Sequence, residues 1–110
     1  REVDEYINRF GIKKVAIWGA GHQAFALFSL FGLGDKIKYV VDSAVFKQDK
    51  YTPATHIPIA SLDKLNSDPT DALIIMAGSY SDEIAKIVRE KYGQIKNISI
   101  LREFGLEIIS

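Results

Sequence analysis

Five short stretches of the chain are almost continuously apolar, rich in β-branched or aromatic residues, and bounded by turn residues. They lie at residues 14–18, 37–41, 58–60, 72–76 and 97–101. Continuous apolar runs of this length are typical of strands that are buried on both faces, as in a parallel sheet. The pattern therefore predicts five strands. The tail at 106–109 is compatible with either a strand or a helix.

The segments between these strands carry apolar residues at helical spacing. They predict helices at residues 1–10, 23–33, 61–65 and 79–92. Ser61 is the expected N-cap of the third helix, and Ser79 or Ser81 that of the fourth, whereas glycines end the first and the last. The 23–33 helix is apolar all round, which predicts that it is buried on most sides or covered by a partner.

The alternation of strands and helices along the chain predicts an α/β architecture. Right-handed crossovers favour the strand order 3-2-1-4-5. We therefore expect a single domain over residues 1–110 with an α/β fold: a three-layer, doubly wound, mostly parallel five-stranded sheet of the Rossmann-like kind. Ligands of such sheets bind at the carboxyl edge, where the strand order reverses. Here that edge is predicted at Trp18, Asp42 and Met76.

The first candidate site at this edge is Gly19-Ala20-Gly21-His22-Gln23-Ala24, which fits the G-x-G-x-x-G/A pattern between a strand and a helix. Gly19 would permit a tight turn, Gly21 would let a phosphate approach the backbone, and Ala24 would let the helix pack closely. Asp42 follows the second strand, the usual place for a carboxylate that accepts hydrogen bonds from a ribose diol.

A purely structural interpretation of the same residues stays open, because any strand-turn-helix junction benefits from small side chains. His22 is either a ligand contact or an exposed turn residue. Residues 43–57 lack a clear period and form one predicted long loop. In it Lys47 and Lys50 would pair with phosphates and Tyr51 would stack on a base or sugar, unless the loop is simply solvated.

A third candidate follows the fourth predicted strand. Ser79 and Tyr80, with their neighbouring backbone N–H groups, would hydrogen-bond a ligand, or the serines would only cap the helix. Apart from these candidates, the sequence offers few groups for catalysis. It has two histidines, no cysteine, no Walker-type lysine, no nucleophile at the first turn and no evident metal-ligand cluster. We expect a domain that binds and is not catalytic alone.

Charge and composition narrow the partners further. Fourteen basic residues balance fourteen acidic ones, so neither nucleic acid nor an anionic membrane is an expected partner. The longest apolar stretch, 24–34, is too short for a membrane span, which needs about 20 residues. Because the chain starts at Arg1 without a signal peptide, we expect a cytoplasmic domain cut from the C-terminal part of a longer protein.

Three segments together resemble the C-terminal domain of S-adenosylmethionine-dependent sugar C-methyltransferases. They are V-A-I-W-G-A-G at 15–21, Y-V-V-D at 39–42 and, most specifically, K-Q-D-K-Y-T-P-A-T-H-I-P-I at 47–59. The resemblance extends over about residues 14–101. It departs at Ala54, where the family more usually has glycine, and at residues 77–80, where the family tends to Pro-Trp-Asn-Tyr and only Tyr80 matches.

The resemblance implies a Rossmann-like domain that holds a nucleotide-linked sugar in a cleft against a preceding methyltransferase domain. That preceding domain would bind S-adenosylmethionine and carry the base. By resemblance, this cleft would include or be supported by the turn at Gly19–Gly21, Asp42, Lys50, Tyr51, Thr55 and His56. Two alternatives remain: a stand-alone module for NAD(P) or another nucleotide, and a degenerate Rossmann-like domain used for packing or dimerisation.

Overall fold

The computed structural model describes residues 2–19, 21–44, 47–52 and 55–110, and the side chains of residues 22, 23 and 31 lie outside that description. Helices and strands follow one another as α1 (Glu2–Phe10), β1 (Val15–Trp18), α2 (His22–Phe31), β2 (Ile37–Val41), β3 (Lys50–Tyr51), β4 (Pro58–Ala60), α3 (Lys64–Ser67), β5 (Ala72–Ile75), α4 (Ser81–Lys91), β6 (Asn97–Arg102) and β7 (Gly105–Ile108). A single 3₁₀ turn, Gly78–Tyr80, precedes α4.

All the described strands belong to one sheet with the order β3-β4-β2-β1-β5-β6-β7. The five central strands are parallel, and β3 and β7 pair antiparallel at the two outer edges. The five predicted strands are thus confirmed, in the predicted order, and the Rossmann-like class with them. The expected strand number was too low, because two-residue β3 shows no alternation in sequence and β7 was ambiguous.

Helices cover both faces of this sheet, as the continuous apolar strands require. On one face Ile7 of α1 and Phe28 of α2 pack on alternate strand residues such as Ile17 and Ile74. On the other face Leu65 of α3 and Val88 of α4 pack on Leu73, Ile75 and their neighbours. These two apolar layers bury the same strands from opposite sides. Polar groups on these strands can therefore reach solvent only at the strand ends.

Helix starts differ from the sequence-based expectations. Asp63, not Ser61, occupies the N-cap of α3, because the chain makes a turn from Ser61 before the helix begins. Tyr80 occupies the N-cap of α4, since the 3₁₀ turn supplies the preceding hydrogen bonds. In α2, Ala24 and Phe28 are buried whereas Leu30 is 74% exposed, so, as far as its side chains are described, this mainly apolar helix is buried on one side and open on another.

Candidate functional site

A cleft of about 400 Å³ opens at the carboxyl edge of the sheet, where the strand order reverses between β1 and β5. Two backbone hydrogen bonds fix its floor: Gly19 N–H donates to the Val41 carbonyl at 2.9 Å, and Met76 N–H donates to the Trp18 carbonyl at 2.9 Å. The lining residues are Trp18, Gly19, Gly21, Asp42, Ser43, Lys47, Met76, Ala77, Tyr80, Glu83, Ile84 and Ile87.

The two glycines of the motif have different roles in the floor of this cleft. Gly19 has φ +125°, and a Cβ atom there would collide with the carbonyl oxygen of Met76. Gly21 has an extended backbone with φ −114°, and none of the described residues lies within 4 Å of a Cβ atom built there. Gly19 is therefore required by the fold, whereas the absence of a side chain at Gly21 leaves space in the cleft.

Asp42 organises the first wall of the cleft. Its Oδ1 accepts a hydrogen bond from Ala44 N–H at 2.8 Å, and its Oδ2 lies 4.0 Å from Lys47 Nζ. The backbone carbonyl of Asp42 accepts a hydrogen bond from Gln48 Nε2 at 2.9 Å. The carboxylate thus holds its own loop in place while it lines the cleft.

The second wall follows β5. Ser81 Oγ accepts a hydrogen bond from Ala77 N–H at 3.1 Å, and Tyr80 N–H donates to the Ala77 carbonyl at 3.1 Å. This turn sets the exposed ring of Tyr80 on the rim of the cleft. Ser79 is also exposed, but it is not one of the described residues that line the cleft.

Sequence reasoning missed the contribution of α4 to this wall. Glu83 is exposed and lines the cleft, with the half-buried Ile84 and Ile87 beside it. The isoleucines belong to the apolar stripe that predicts the helix, so their period gave no reason to separate them from the core. A usable signal existed: the first turns of a helix that follows a parallel strand lie at the carboxyl edge.

Lys50 and Tyr51, both predicted to bind ligand, lie on the outer strand β3 and line a different cavity of about 380 Å³. In it the carboxylate of Asp68 lies 2.9 Å from Lys38 Nζ and 3.9 Å from Lys64 Nζ. The hydrogen bond from Lys38 is the main reason why the pKa of Asp68 is below its usual range. Two of this cavity's three lysines are thus already paired with an acid.

Thr55 and His56 belong to a tight turn that carries the chain from β3 to β4. Ile57 N–H donates to the buried Thr52 Oγ1 at 2.9 Å, and the Thr52 and Thr55 hydroxyls contact each other. His56 adopts φ +55°, a left-handed conformation, and its side chain is exposed. The structure does not bring this turn to the cleft: Thr55 packs near Gly34, beyond the amino end of β2.

Two predicted site residues fall wholly or partly outside the described residues. Ala20 lies outside them altogether, and His22 begins α2 while its side chain lies outside the description. Among the described residues no group of three or more histidine, aspartate or glutamate side chains is arranged to hold a metal ion. Within the same part of the chain, no helix has the length and apolar character of a membrane span.

Comparison with known proteins supplies the family. The family model described as the C-methyltransferase C-terminal domain matches residues 7–99. This chain belongs to that family. It is 36% identical over 73 residues to the C-methyltransferase NovU of Streptomyces niveus, a match that covers 66% of this chain and 17% of that protein. The chain therefore spans about a sixth of the length of this curated relative.

The fold comparison agrees with the observed architecture. The crystal structure of UDP-D-quinovosamine 4-dehydrogenase from Vibrio fischeri matches with a TM-score of 0.65 and 17% sequence identity, covering 90% of this chain and 94% of that one. At this identity the similarity shows the Rossmann-like fold alone. The family assignment, by contrast, confirms the expectation from the segments at 15–21, 39–42 and 47–59.

Proposed function

We propose that this domain holds a nucleotide-linked sugar for a C-methyltransferase whose methyl-transfer chemistry takes place on another domain. The observation that carries the proposal is the cleft, which brings Gly19, Gly21, Asp42 and Tyr80 together at the point of strand reversal. Ligands of doubly wound sheets bind at this point. Membership of the C-methyltransferase C-terminal domain family supplies the reaction class.

The chemistry of the cleft supports a binding role. Its described lining contains no histidine and no cysteine, and its only hydroxyl side chains belong to Ser43 and Tyr80. The Asp42 carboxylate is already used in hydrogen bonding to its own loop. We therefore assign substrate binding to this domain. In the parent enzyme, which we place in the cytoplasm, S-adenosylmethionine bound to a preceding domain would supply the methyl group.

One specific observation favours a second candidate, a module for NAD or a related nucleotide. The buried Ala24 packs α2 closely against the sheet, and Asp42 ends β2 on the cleft, as a dinucleotide-binding motif requires. A third candidate, a packing or dimerisation domain, is favoured by the exposed Leu30 on α2. One set of binding and sedimentation measurements distinguishes these two candidates from the proposed function.

Isothermal titration of the chain with UDP- and dTDP-linked sugars, S-adenosylmethionine and NAD tests the proposal. We expect binding of a nucleotide-linked sugar and none of S-adenosylmethionine. Preferential binding of NAD would support the second candidate. Absence of any ligand binding, combined with a dimer in analytical ultracentrifugation that Leu30→Glu dissociates, would support the third and overturn the proposal.

Substitution of Gly21 by leucine tests whether the ligand binds in the cleft. Because a Cβ atom at Gly21 meets none of the described residues, Gly21→Leu should leave the fold intact and fill the cleft. The matched control is Gly93→Leu, since Gly93 is exposed and a Cβ there makes only an ordinary contact, 3.8 Å from the Arg89 carbonyl. We expect at least about a tenfold loss of affinity in the first variant, equivalent to about 1.4 kcal/mol, and none in the second.

A further inference from the structure

The charged side chains of the cleft are not those of a phosphate site. Its described lining contains two carboxylates, Asp42 and Glu83, and one ammonium, Lys47. The described lining therefore carries one net negative charge, and the start of α2 offsets only about half a charge.

The one ammonium group in the described lining, that of Lys47, is already paired with a carboxylate. Lys47 Nζ lies 4.0 Å from Asp42 Oδ2, so a phosphate that recruited this ammonium would have to compete with a carboxylate that is 15% exposed. A diphosphate would meanwhile approach the Glu83 carboxylate on the opposite wall. Repulsion between like charges disfavours an anion at this position.

What the cleft offers is an apolar surface beside hydrogen-bond acceptors. Ile84, Ile87 and Met76 present a hydrocarbon wall, the Tyr80 ring lies on the rim, and Asp42 and Glu83 supply acceptor oxygens. A flat heterocycle packs on such a wall, and hydroxyl or N–H groups donate to carboxylates. This is the complement of a nucleoside, which is uncharged and has both a ring face and hydroxyl donors.

We infer that the cleft recognises the nucleoside part of its ligand and leaves the phosphate groups outside. The inference rests on the proposed function and makes it more specific: Ile84 and Ile87 contact the base, Asp42 accepts from the pentose, and Glu83 discriminates against anions. The phosphates and the attached sugar then project out of the domain, to where the reacting part of the ligand would meet the domain that carries the chemistry.

Titration of the chain with uridine, UDP, thymidine, dTDP and inorganic pyrophosphate tests this inference. We expect each nucleoside to bind within about tenfold of its diphosphate, and pyrophosphate to bind at least about a hundredfold more weakly than the better nucleoside. Binding of the nucleoside should be unchanged between low and high salt, because an uncharged ligand is not screened.

Glu83→Gln provides the second arm, with Glu90→Gln as the control, because Glu90 is also exposed on α4 but does not line the cleft. Removing the Glu83 charge should raise the affinity for UDP about two- to fivefold without changing the fold, and the control should have no effect. Pyrophosphate that binds as tightly as UDP, with a steep salt dependence, would overturn the inference and leave the proposed function standing. Absence of binding by every nucleoside and nucleotide would overturn both.

Discussion

Two turns that the sequence marks as candidate sites use their polar groups in opposite ways. At the first turn, Gly19 and Gly21 line the cleft, and a Cβ atom at Gly21 would meet none of the described residues. The turn from Thr52 to Ile57 directs its hydroxyls and amides inward, onto one another. The first turn builds a site, whereas the second builds the connection between β3 and β4.

The difference teaches how a family motif divides between function and fold. Residues 47–59 carry the most specific resemblance, yet they separate in space: Lys47 lines the cleft, Lys50 and Tyr51 line the outer cavity, and Thr55 with His56 closes the turn. Specificity of a sequence pattern therefore does not by itself identify a ligand contact. The predictions below separate these roles.

Substitution of Gly19 should have the largest effect. Gly19→Ala places a Cβ atom against the Met76 carbonyl in a backbone conformation, φ +125°, that side chains rarely adopt. We expect a loss of at least about 2 kcal/mol in the free energy of unfolding. Gly21→Ala should cost less than about 1 kcal/mol. Urea unfolding of the two variants measures both, and equal losses would contradict the division of roles in this turn.

Removal of the Thr52 hydroxyl should have the next largest effect. Thr52→Val leaves the buried Ile57 N–H without its side-chain acceptor and takes away the contact with Thr55. We expect a loss of about 1–3 kcal/mol in the free energy of unfolding, by the same urea measurement. Affinity for the ligand of the cleft should not change, because the turn lies elsewhere. A variant that kept full stability but lost binding would show that the turn belongs to the site.

Acid should weaken the fold through two exposed ion pairs. The hydrogen bonds from Arg102 to Asp82 and from Lys38 to Asp68 are the main causes that hold the pKa of each carboxyl below its usual range. A depressed folded-state pKa contributes stability above the unfolded value, which is lost as the pH falls through the folded value. Melting temperatures should therefore fall as the pH drops below about 4, the usual pKa of an aspartate carboxyl, and Asp82→Asn with Asp68→Asn should make that fall shallower. An unchanged slope would contradict the assignment.

Loss of the Ser99 hydroxyl should have the smallest effect. Ser99 Oγ and Tyr6 Oη are buried, and although the two hydroxyls interact, neither makes a hydrogen bond of good geometry with the described residues; burial raises the pKa of Tyr6. Ser99→Ala should change the free energy of unfolding by less than about 1 kcal/mol, in either direction. Tyr39→Phe is the comparison, since Tyr39 Oη donates to the Asp68 carbonyl at 2.7 Å and its removal should cost more. The reverse order in thermal unfolding would contradict this account.

Much of the fold was predictable because it depends on periodicity. The five apolar runs and right-handed crossovers suffice for the order β4-β2-β1-β5-β6. Edge strands were not predictable: β3 has two residues, and β7 pairs only because the turn at 103–104 reverses the chain onto β6. The pairing of β3 depends on tertiary contacts that a local pattern does not contain, and the β6–β7 hairpin has Glu103-Phe104 at its turn, which is not a typical hairpin turn sequence.

Site residues were predictable where the order of the parallel strands determines their position. They were not predictable where the position depends on the direction in which a side chain points. Gly19, Gly21 and Asp42 lie at strand ends, and parallel strands bring those ends together. Lys50 and Tyr51 are eight and nine residues past Asp42, and only the antiparallel pairing of β3 with β4 turns them to the outer edge. In α4 the apolar stripe predicted the helix but not that two of its residues, Ile84 and Ile87, also form the cleft wall.

The central claim is that the cleft between the Gly19–Gly21 turn and α4 is where this domain holds its ligand. Titration of Gly21→Leu against Gly93→Leu with a nucleotide-linked sugar tests it most directly, with urea unfolding to verify that both variants fold. The account predicts at least about a tenfold loss of affinity for Gly21→Leu alone. Unchanged affinity in a folded Gly21→Leu variant would contradict it.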